Sequence, residues 1–182
     1  MPAQSAIEYI TISTTGNALS FGSLSAPVYY TSATSSETRA LISLGYNGTY
    51  LNTVEYVTIA TLGNATSFGT FSSPRSLAAT MTNGTRGVFA GGTTVGTVYM
   101  NTMEYFTIAT LSNAISFGNL PEARSLTSAT SNQTRGIVAG GLDSAAVAIT
   151  SIVKITIATT GNATSFGNLT TATTGLTATS GN

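Results

Sequence analysis

The chain contains no cysteine, no histidine and no tryptophan among its 182 residues, and only 7% of its residues are charged. Without cysteine there are no disulfides and no thiolate metal ligands. Without histidine the most common general base is missing, and because Asp143 is the only aspartate, neither a Ser-His-Asp triad nor a paired-aspartate site can form. The sequence therefore predicts a protein that is not an enzyme and that uses no metal and no cofactor.

The formal net charge of the chain is zero, since it contains six acidic and six basic residues. A chain without a net field is not expected to recruit nucleic acid or anionic lipid. No segment approaches the ~20 apolar residues of a membrane-spanning helix, and residues 1–6 have neither the basic region nor the apolar core of a signal peptide. We expect no membrane insertion, and such a low charge favours a protein that ends up packed in an assembly.

What the sequence does contain is a long internal repeat. The tripeptide Ser-Phe-Gly begins at Ser20, Ser67, Ser116 and Ser165, at intervals of 47, 49 and 49 residues. The residues around this marker recur in step with it. A period of this length is typical of an array of small supersecondary units.

The second complete repeat predicts what one unit is. Two β-rich segments, 75–81 and 86–92, flank an Asn-Gly turn, which is a hairpin signal. The segments 103–110 and 115–120 follow as a third and a fourth strand, and we call the four strands A to D in chain order. Four antiparallel strands in ~45–50 residues are typical of a β-propeller blade. No segment shows the 3.6-residue periodicity of an amphipathic helix, so we expect almost no helix.

These repeats resemble the kelch family. The resemblance rests on an arginine that opens strand A (Arg75, Arg124), a Gly-Gly pair that closes strand B, and a tyrosine in strand C (Tyr56, Tyr105). It differs in strand D, where phenylalanine stands in place of the usual tryptophan. The sequence of the repeat, Gly-Asn-Ala-Thr-Ser-Phe-Gly, also resembles repeats in virion proteins of aquatic bacteriophages. These resemblances imply an all-β, kelch-like propeller and a location in a phage particle.

The repeat predicts that residues 1–182 form a single propeller domain. We predict a partial blade at 7–26 that supplies only strands C and D, complete blades at about 28–71, 75–120 and 124–170, and a closing strand A at 174–181. The two partial ends are complementary, although neither supplies strand B. They can close a four-bladed ring in one chain, close an eight-bladed ring between two chains, or build an open filament. We expect a homo-oligomer or an assembly with other virion proteins.

The charged residues of strands A and C are interpreted as structural. Glu55 precedes Arg75 by 20 residues, and Glu104 precedes Arg124 by the same number, so each pair is predicted to bridge adjacent blades. In the third unit we expect Lys154 to replace the glutamate. Pairs of this kind serve register more often than catalysis.

Three further arginines follow a threonine at the A-B turns: Arg39, Arg86 and Arg135. They are predicted to donate hydrogen bonds to backbone carbonyls, or alternatively to form a basic ring for an anionic partner. The phenylalanine of Ser-Phe-Gly is predicted to fill the gap between blades, and its glycine to permit close approach.

The B-C loops differ from one unit to the next, and loops on a rigid scaffold often carry recognition. Tyr46, Tyr50 and Tyr99 are the candidate contacts for a sugar or a protein partner, unless the loops have simply drifted; Tyr29 and Tyr30 are expected in the core. The leading hypothesis is a structural or adhesive virion protein, such as a fibre, decoration or baseplate-associated component. The alternative is a carbohydrate-binding propeller that recognises surface glycans through the B-C loops.

Overall fold

The fold is built from short antiparallel strands. The computed structural model describes residues 2–180, and in these residues the only helical segment is a 3-10 turn at Val95–Thr97. The strands are β1 Gln4–Tyr9, β2 Leu19–Val28, β3 Ser32–Ser35, β4 Arg39–Ser43, β5 Thr53–Thr58, β6 Thr66–Thr70, β7 Ala79–Thr82, β8 Arg86–Ala90, β9 Thr93–Thr94, β10 Val98–Tyr99, β11 Thr102–Thr107, β12 Ile115–Asn119, β13 Arg124–Ser125, β14 Ser128–Ser131, β15 Arg135–Ala139, β16 Leu142–Asp143, β17 Ser151–Thr156 and β18 Thr164–Asn168.

Three four-stranded antiparallel sheets repeat along the chain, in the orders β3-β4-β5-β6, β7-β8-β11-β12 and β14-β15-β17-β18. We call them units 1, 2 and 3, with strands A to D in chain order. Strands β1 and β2 form an N-terminal hairpin, and the pairs β9-β10 and β13-β16 are short two-stranded ribbons. The predicted all-β class with four-stranded antiparallel sheets and almost no helix is thereby confirmed.

The N-terminal hairpin has the geometry of strands C and D. Its register pairs Ala6 with Ser23 and Tyr9 with Leu19, as unit 1 pairs Thr53 with Thr70. The same irregularity interrupts the C-D pairing of all three units and of the hairpin, directly before the position of Glu8. Both strands reach beyond the predicted bounds of 7–26, and β2 runs on to Val28.

The A-B turns form because an acceptor side chain holds the backbone that follows it. In unit 2, Asn83 Oδ1 accepts hydrogen bonds from the backbone N–H groups of Thr85 and Arg86 at 3.1 and 2.8 Å. Gly84 adopts a φ of 80°, which glycine reaches without steric cost. Short side chains that bond their own turn in this way are what makes Asn-Gly a strong turn signal.

The hydrophobic core lies between the units rather than within each sheet. One buried cluster joins Leu41 and Phe68 of unit 1 to Phe89, Phe106 and Ile108 of unit 2. A second cluster joins residues of unit 2, such as Met81 and Phe117, to residues of unit 3, such as Val153 and Ile157. A single twisted sheet cannot cover its own apolar faces, so each unit depends on its neighbours for burial.

The C-terminal tail differs from the prediction of a closing strand at 174–181. No strand is assigned to residues 170–180, and residue 181 lies outside the described residues. The tail follows unit 3 through two backbone hydrogen bonds, from Gly141 N to Thr173 O at 2.9 Å and from Gly175 N to Leu126 O at 3.1 Å. Among residues 2–180 no strand B lies beside the tail, so no ladder of hydrogen bonds forms there.

Candidate functional site

Arg75 lies at the centre of a buried polar cluster in unit 2. Its side chain is fully buried, and its Nη2 atom donates to Glu104 Oε2 at 2.6 Å. Its Nη1 atom donates to the backbone oxygens of Phe89 and Thr102 at 3.4 and 3.2 Å. Burial lowers the pKa of the Arg75 guanidinium, and the charge of Glu104 opposes that shift. These hydrogen bonds hold the segment before strand A against strands B and C of the same sheet.

This arrangement corrects the predicted pairing of Glu55 with Arg75. The partner of Arg75 is Glu104 of its own unit, whereas Glu55 Oε2 accepts a hydrogen bond from the backbone N of Ser25 at 3.2 Å. Arg75 lies in the segment before strand A, and its long side chain reaches Glu104 of strand C, 29 positions further along the chain. The carboxylate of Glu104 also accepts a bond from the backbone N of Ser72 at 3.1 Å.

Arg124 opens unit 3 in the same way but with a different acid. Its Nη2 atom donates to Glu122 Oε1 at 2.7 Å and to Ser151 Oγ at 2.6 Å, so the predicted pair with Glu104 is not formed. Burial lowers the pKa of Arg124 as well, opposed by the charge of Glu122. The predicted role of Lys154 is also wrong, since strand register places Val153 in the position of Glu104 and Lys154 in that of Tyr105.

The turn arginines bind the neighbouring unit. Arg39 Nη1 donates to the backbone oxygens of Ile108 and Ala109 at 3.2 and 2.8 Å, and Arg86 Nη1 makes the equivalent bonds in unit 3 at 3.3 and 2.7 Å. The predicted donation to backbone carbonyls is thus confirmed for these two arginines. The equivalent Arg135 is exposed, and its guanidinium makes no hydrogen bond within residues 2–180.

The tyrosines of the B-C loops lie partly exposed. The rings of Tyr46 and Tyr50 contact each other edge-to-face with centroids 5.1 Å apart, and Tyr99 lies in a separate ribbon, β10. The expectation of a core position for Tyr29 and Tyr30 is wrong, because their side chains are 37% and 58% exposed. Tyr30 has a φ of 56°, a left-handed conformation that turns the strand there.

Each C-D turn docks on strand D of the preceding unit. Ala65 N donates to Ser23 O, Ala114 N to Thr70 O and Ala163 N to Asn119 O, each at 2.9 Å. The asparagine before each alanine accepts a bond from the same strand D residue, at 3.0, 3.1 and 2.9 Å for Asn64, Asn113 and Asn162. We call this recurring set the turn contact. Sequence reasoning missed these asparagines, although their recurrence in every repeat signals them.

The glycine of Ser-Phe-Gly makes the turn contact possible. A Cβ atom added at Gly22, Gly69 or Gly118 would overlap the backbone oxygen of Gly63, Ser112 or Gly161, respectively, in the next turn. Phe68 and Phe117 beside these glycines are 4% and 2% exposed. The predicted packing of the phenylalanine and the close approach at the glycine are therefore confirmed at the internal turn contacts.

Two faces of the described structure carry half of a turn contact each. We call strand D of unit 3 with Arg135 the C-face; there Phe166 is 54% exposed, and a Cβ at Gly167 would meet no atom within 4 Å. We call the outer side of the N-terminal hairpin and its turn the N-face. It includes Ile12, which is 95% exposed. Within the chain these two faces do not cover each other.

The acidic side chains of the described part of the chain do not gather into a metal-binding group. Residues 2–180 hold no group of three or more acidic, histidine or cysteine side chains able to bind a metal ion. Strand A of each unit and the tail border one open groove, to which the segments 33–35, 80–82, 129–131 and 178–180 contribute. Hydroxyls link these strands, for example Thr82 Oγ1 to Ser35 O at 3.0 Å.

Comparison with known proteins does not assign a function to the residues described above. No known protein family matches the sequence, and no curated protein gives a significant match. Among the described residues there is no helix long and apolar enough to cross a membrane.

Proposed function

We propose that this chain is a non-enzymatic structural or adhesive protein with a kelch-like propeller architecture, and that it serves as a component of a bacteriophage particle. A fibre, decoration or baseplate-associated position fits best. The observation that carries the proposal is the pair of exposed apolar faces, each half of a contact that the chain forms three times internally. Large exposed apolar surfaces on a chain with few charges mark sites of association.

The arrangement of the sheets supports the propeller part of the proposal. Strand A of unit 2 contacts strand A of units 1 and 3, and Thr80 Oγ1 donates to Ala33 O at 2.7 Å across the first of these junctions. Strand A lies at the groove in every unit, while strand D lies at the far edge of the sheet. Sheets that share a groove in this way are the arrangement expected of propeller blades, and this supports the proposed architecture.

The use of the charged side chains supports a structural role. Arg75, Glu104 and Arg124 are buried in hydrogen-bonded clusters, and Arg39 and Arg86 bridge neighbouring units. These groups hold the sheets in register, so the best-positioned charges of the chain already have partners. The proposed location in a virion rests on the resemblance of the repeat sequence to repeats in phage virion proteins.

Fractionation of the producing culture tests this proposal. A density gradient of the lysate, probed with an antibody against the chain, should show the protein cosedimenting with particles and staying with them after salt washes. Recovery of the protein only as a free monomer, never with particles, would contradict the proposal. Free protein from the same lysate, separated on a parallel gradient without particles, is the control.

The second candidate function is carbohydrate binding, and the paired rings of Tyr46 and Tyr50 favour it. Their edge-to-face contact presents two aromatic surfaces on one loop, and such surfaces stack on sugar rings. A glycan array with the native assembly should show binding that is lost in Tyr46→Ala and Tyr50→Ala. Tyr→Phe variants at the same positions keep the ring and are the matched control. Binding that the Ala variants leave unchanged would remove this candidate.

A further inference from the structure

We propose that the N-face of one copy docks on the C-face of a second copy of this chain and re-forms the turn contact between them. The inference deepens the proposed function, on which it rests, by naming the partner and the atoms that recognise it. The internal contacts of the chain supply the template, because the hairpin turn has the same register and the same key residues as the turns at Asn64, Asn113 and Asn162.

The template specifies the hydrogen bonds of the docked pair. Asn17 and Ala18 of the hairpin correspond to Asn162 and Ala163, and Asn168 of unit 3 corresponds to Asn119. In the docked pair, Ala18 N of one copy donates to Asn168 O of the other, and Asn168 N donates to Asn17 Oδ1. Asn168 lies on β18, the edge strand of its sheet, where outward backbone groups remain available.

The arginine of the C-face fits the same template. Arg39 and Arg86 each bind two successive carbonyls at the end of the next strand C. Arg135 is the third member of this set and lacks such partners among residues 2–180. In the docked pair its guanidinium meets the backbone oxygens of Ile12 and Ser13 of the second copy.

The apolar side chains of the two faces are also complementary. Ile12 corresponds to Ile108 and Ile157, which are 1% and 0% exposed where a preceding unit covers them. Phe166 corresponds to Phe117, which is 2% exposed because the turn of unit 3 covers it. Docking buries Ile12 and Phe166 in one new cluster, equivalent to the two that already join the units.

The occupant is a second copy because each chain carries both halves and its own halves do not meet. Gly167 is open in the structure, whereas the Ser-Phe-Gly glycines of the internal contacts, Gly22, Gly69 and Gly118, touch the next turn. The tail of one copy and the hairpin of the other then flank the position of a missing strand B. The tail and the docked hairpin each contact unit 3, and they do not pair directly with each other. The contact is head-to-tail, so it leads to a ring or a filament.

A pair of glycine variants isolates the docked contact. Gly167→Ala places a methyl group in open space within the chain but against the Gly16 oxygen of a docked copy, as at Gly69 and Ser112. Sedimentation velocity over a concentration series should show multimers of the wild-type chain and at least tenfold weaker association of Gly167→Ala, with an unchanged Tm. Gly16→Ser is the matched control, since Ser112 occupies that position in an internal contact, and it should associate like the wild type.

Mixing variants tests the direction of the contact. Ile12→Asp should abolish association from the N-face, because docking would bury an unpaired carboxylate. A mixture of Ile12→Asp and Gly167→Ala chains should form 1:1 dimers, since each supplies the face that the other lacks. A monomeric wild type, Gly167→Ala multimers as tight as the wild type, or no dimer in the mixture would overturn the inference. A monomeric wild type that still cosediments with particles would overturn self-docking alone and leave the proposed function standing.

Discussion

The internal faces and the end faces of this protein are made from nearly the same residues in opposite environments. Phe117 is 2% exposed in the junction between units 2 and 3, and Phe166, in the same tripeptide one repeat later, is 54% exposed. Ile157 is fully buried, whereas its counterpart Ile12 is 95% exposed. Phe117 and Ile157 are covered by a complete neighbouring unit, whereas Phe166 and Ile12 have none beside them among residues 2–180. Burial in this fold is therefore a property of junctions, as expected of repeat proteins.

The comparison separates two roles for one sequence motif. At an internal junction, Ser-Phe-Gly contributes to the stability of the chain. At an end face it contributes to association. A substitution made at equivalent positions should therefore change unfolding in one case and self-assembly in the other, and the following pairs of variants test this division.

The largest difference is expected between Phe117→Ala and Phe166→Ala. Phe117 lies in the buried cluster between units 2 and 3, and its loss leaves a cavity that should lower the free energy of unfolding by about 3–5 kcal/mol. Phe166→Ala should leave that free energy nearly unchanged at low protein concentration. Urea unfolding of both variants measures the difference in their free energies of unfolding. Equal destabilisation by the two would show that exposure of the phenylalanine does not decide whether it contributes to folding or to association.

A similar loss is expected when the buried ion pair of unit 2 is broken. Glu104 is 6% exposed in its side chain and faces the fully buried Arg75, so Glu104→Ala leaves an uncompensated charge and should cost about 3–5 kcal/mol. Glu122→Ala is the matched variant in unit 3. The side chain of Glu122 is 42% exposed, so water replaces it, and a loss of about 1 kcal/mol is expected. Thermal unfolding that ranks the two variants in the reverse order would refute this explanation.

A smaller effect is expected at the close approach of glycine. Gly69→Ala forces a methyl group against the backbone of Ser112 and should destabilise the chain by about 1–3 kcal/mol. Gly22→Ala, which meets the turn at Gly63, should weaken attachment of the N-terminal hairpin instead. Differential scanning calorimetry checks the first variant and limited proteolysis near the hairpin checks the second. A wild-type Tm for Gly69→Ala would contradict the geometry of the junction.

The smallest effect is expected at the turn asparagines. Asn113 Oδ1 accepts hydrogen bonds from Thr70 N at 3.1 Å and from Thr70 Oγ1 at 3.2 Å, both in an exposed position, so Asn113→Ala should cost about 0.5–1.5 kcal/mol of folding stability. Asn17→Ala removes no such bond within the chain and should leave the unfolding midpoint in urea unchanged. Destabilisation by Asn17→Ala at concentrations where the chain is monomeric would mean that the turn has an internal role.

The sequence was sufficient for the local features of the fold. The interval between Ser-Phe-Gly tripeptides placed the strands of the three units, since turn chemistry such as that of Asn83 and Gly84 acts within a few residues. The same recurrence identified the tight approach at Gly69. These features need only the repeat and its neighbours along the chain.

Partners that are distant along the chain were not predictable from spacing. Arg75 reaches Glu104 from the segment before strand A, a contact that depends on how this segment lies against strands B and C of the folded unit. The tail around Gly175 forms no strand, because strand pairing depends on an adjacent strand and not on β propensity alone. Tyr30 is exposed through a left-handed backbone conformation that no composition rule signals.

Hydrogen exchange at the turn contacts shows whether the end faces re-form the internal contact between copies of the chain. The amides of Asn119 and Ala163 form an internal turn contact, and the account predicts protection for them that is independent of protein concentration. The amides of Asn168 and Ala18 should exchange rapidly in dilute solution and become protected in parallel as the concentration rises. If Asn168 and Ala18 remain unprotected at every concentration while Asn119 and Ala163 are protected, the end faces do not re-form the internal contact and the account is wrong.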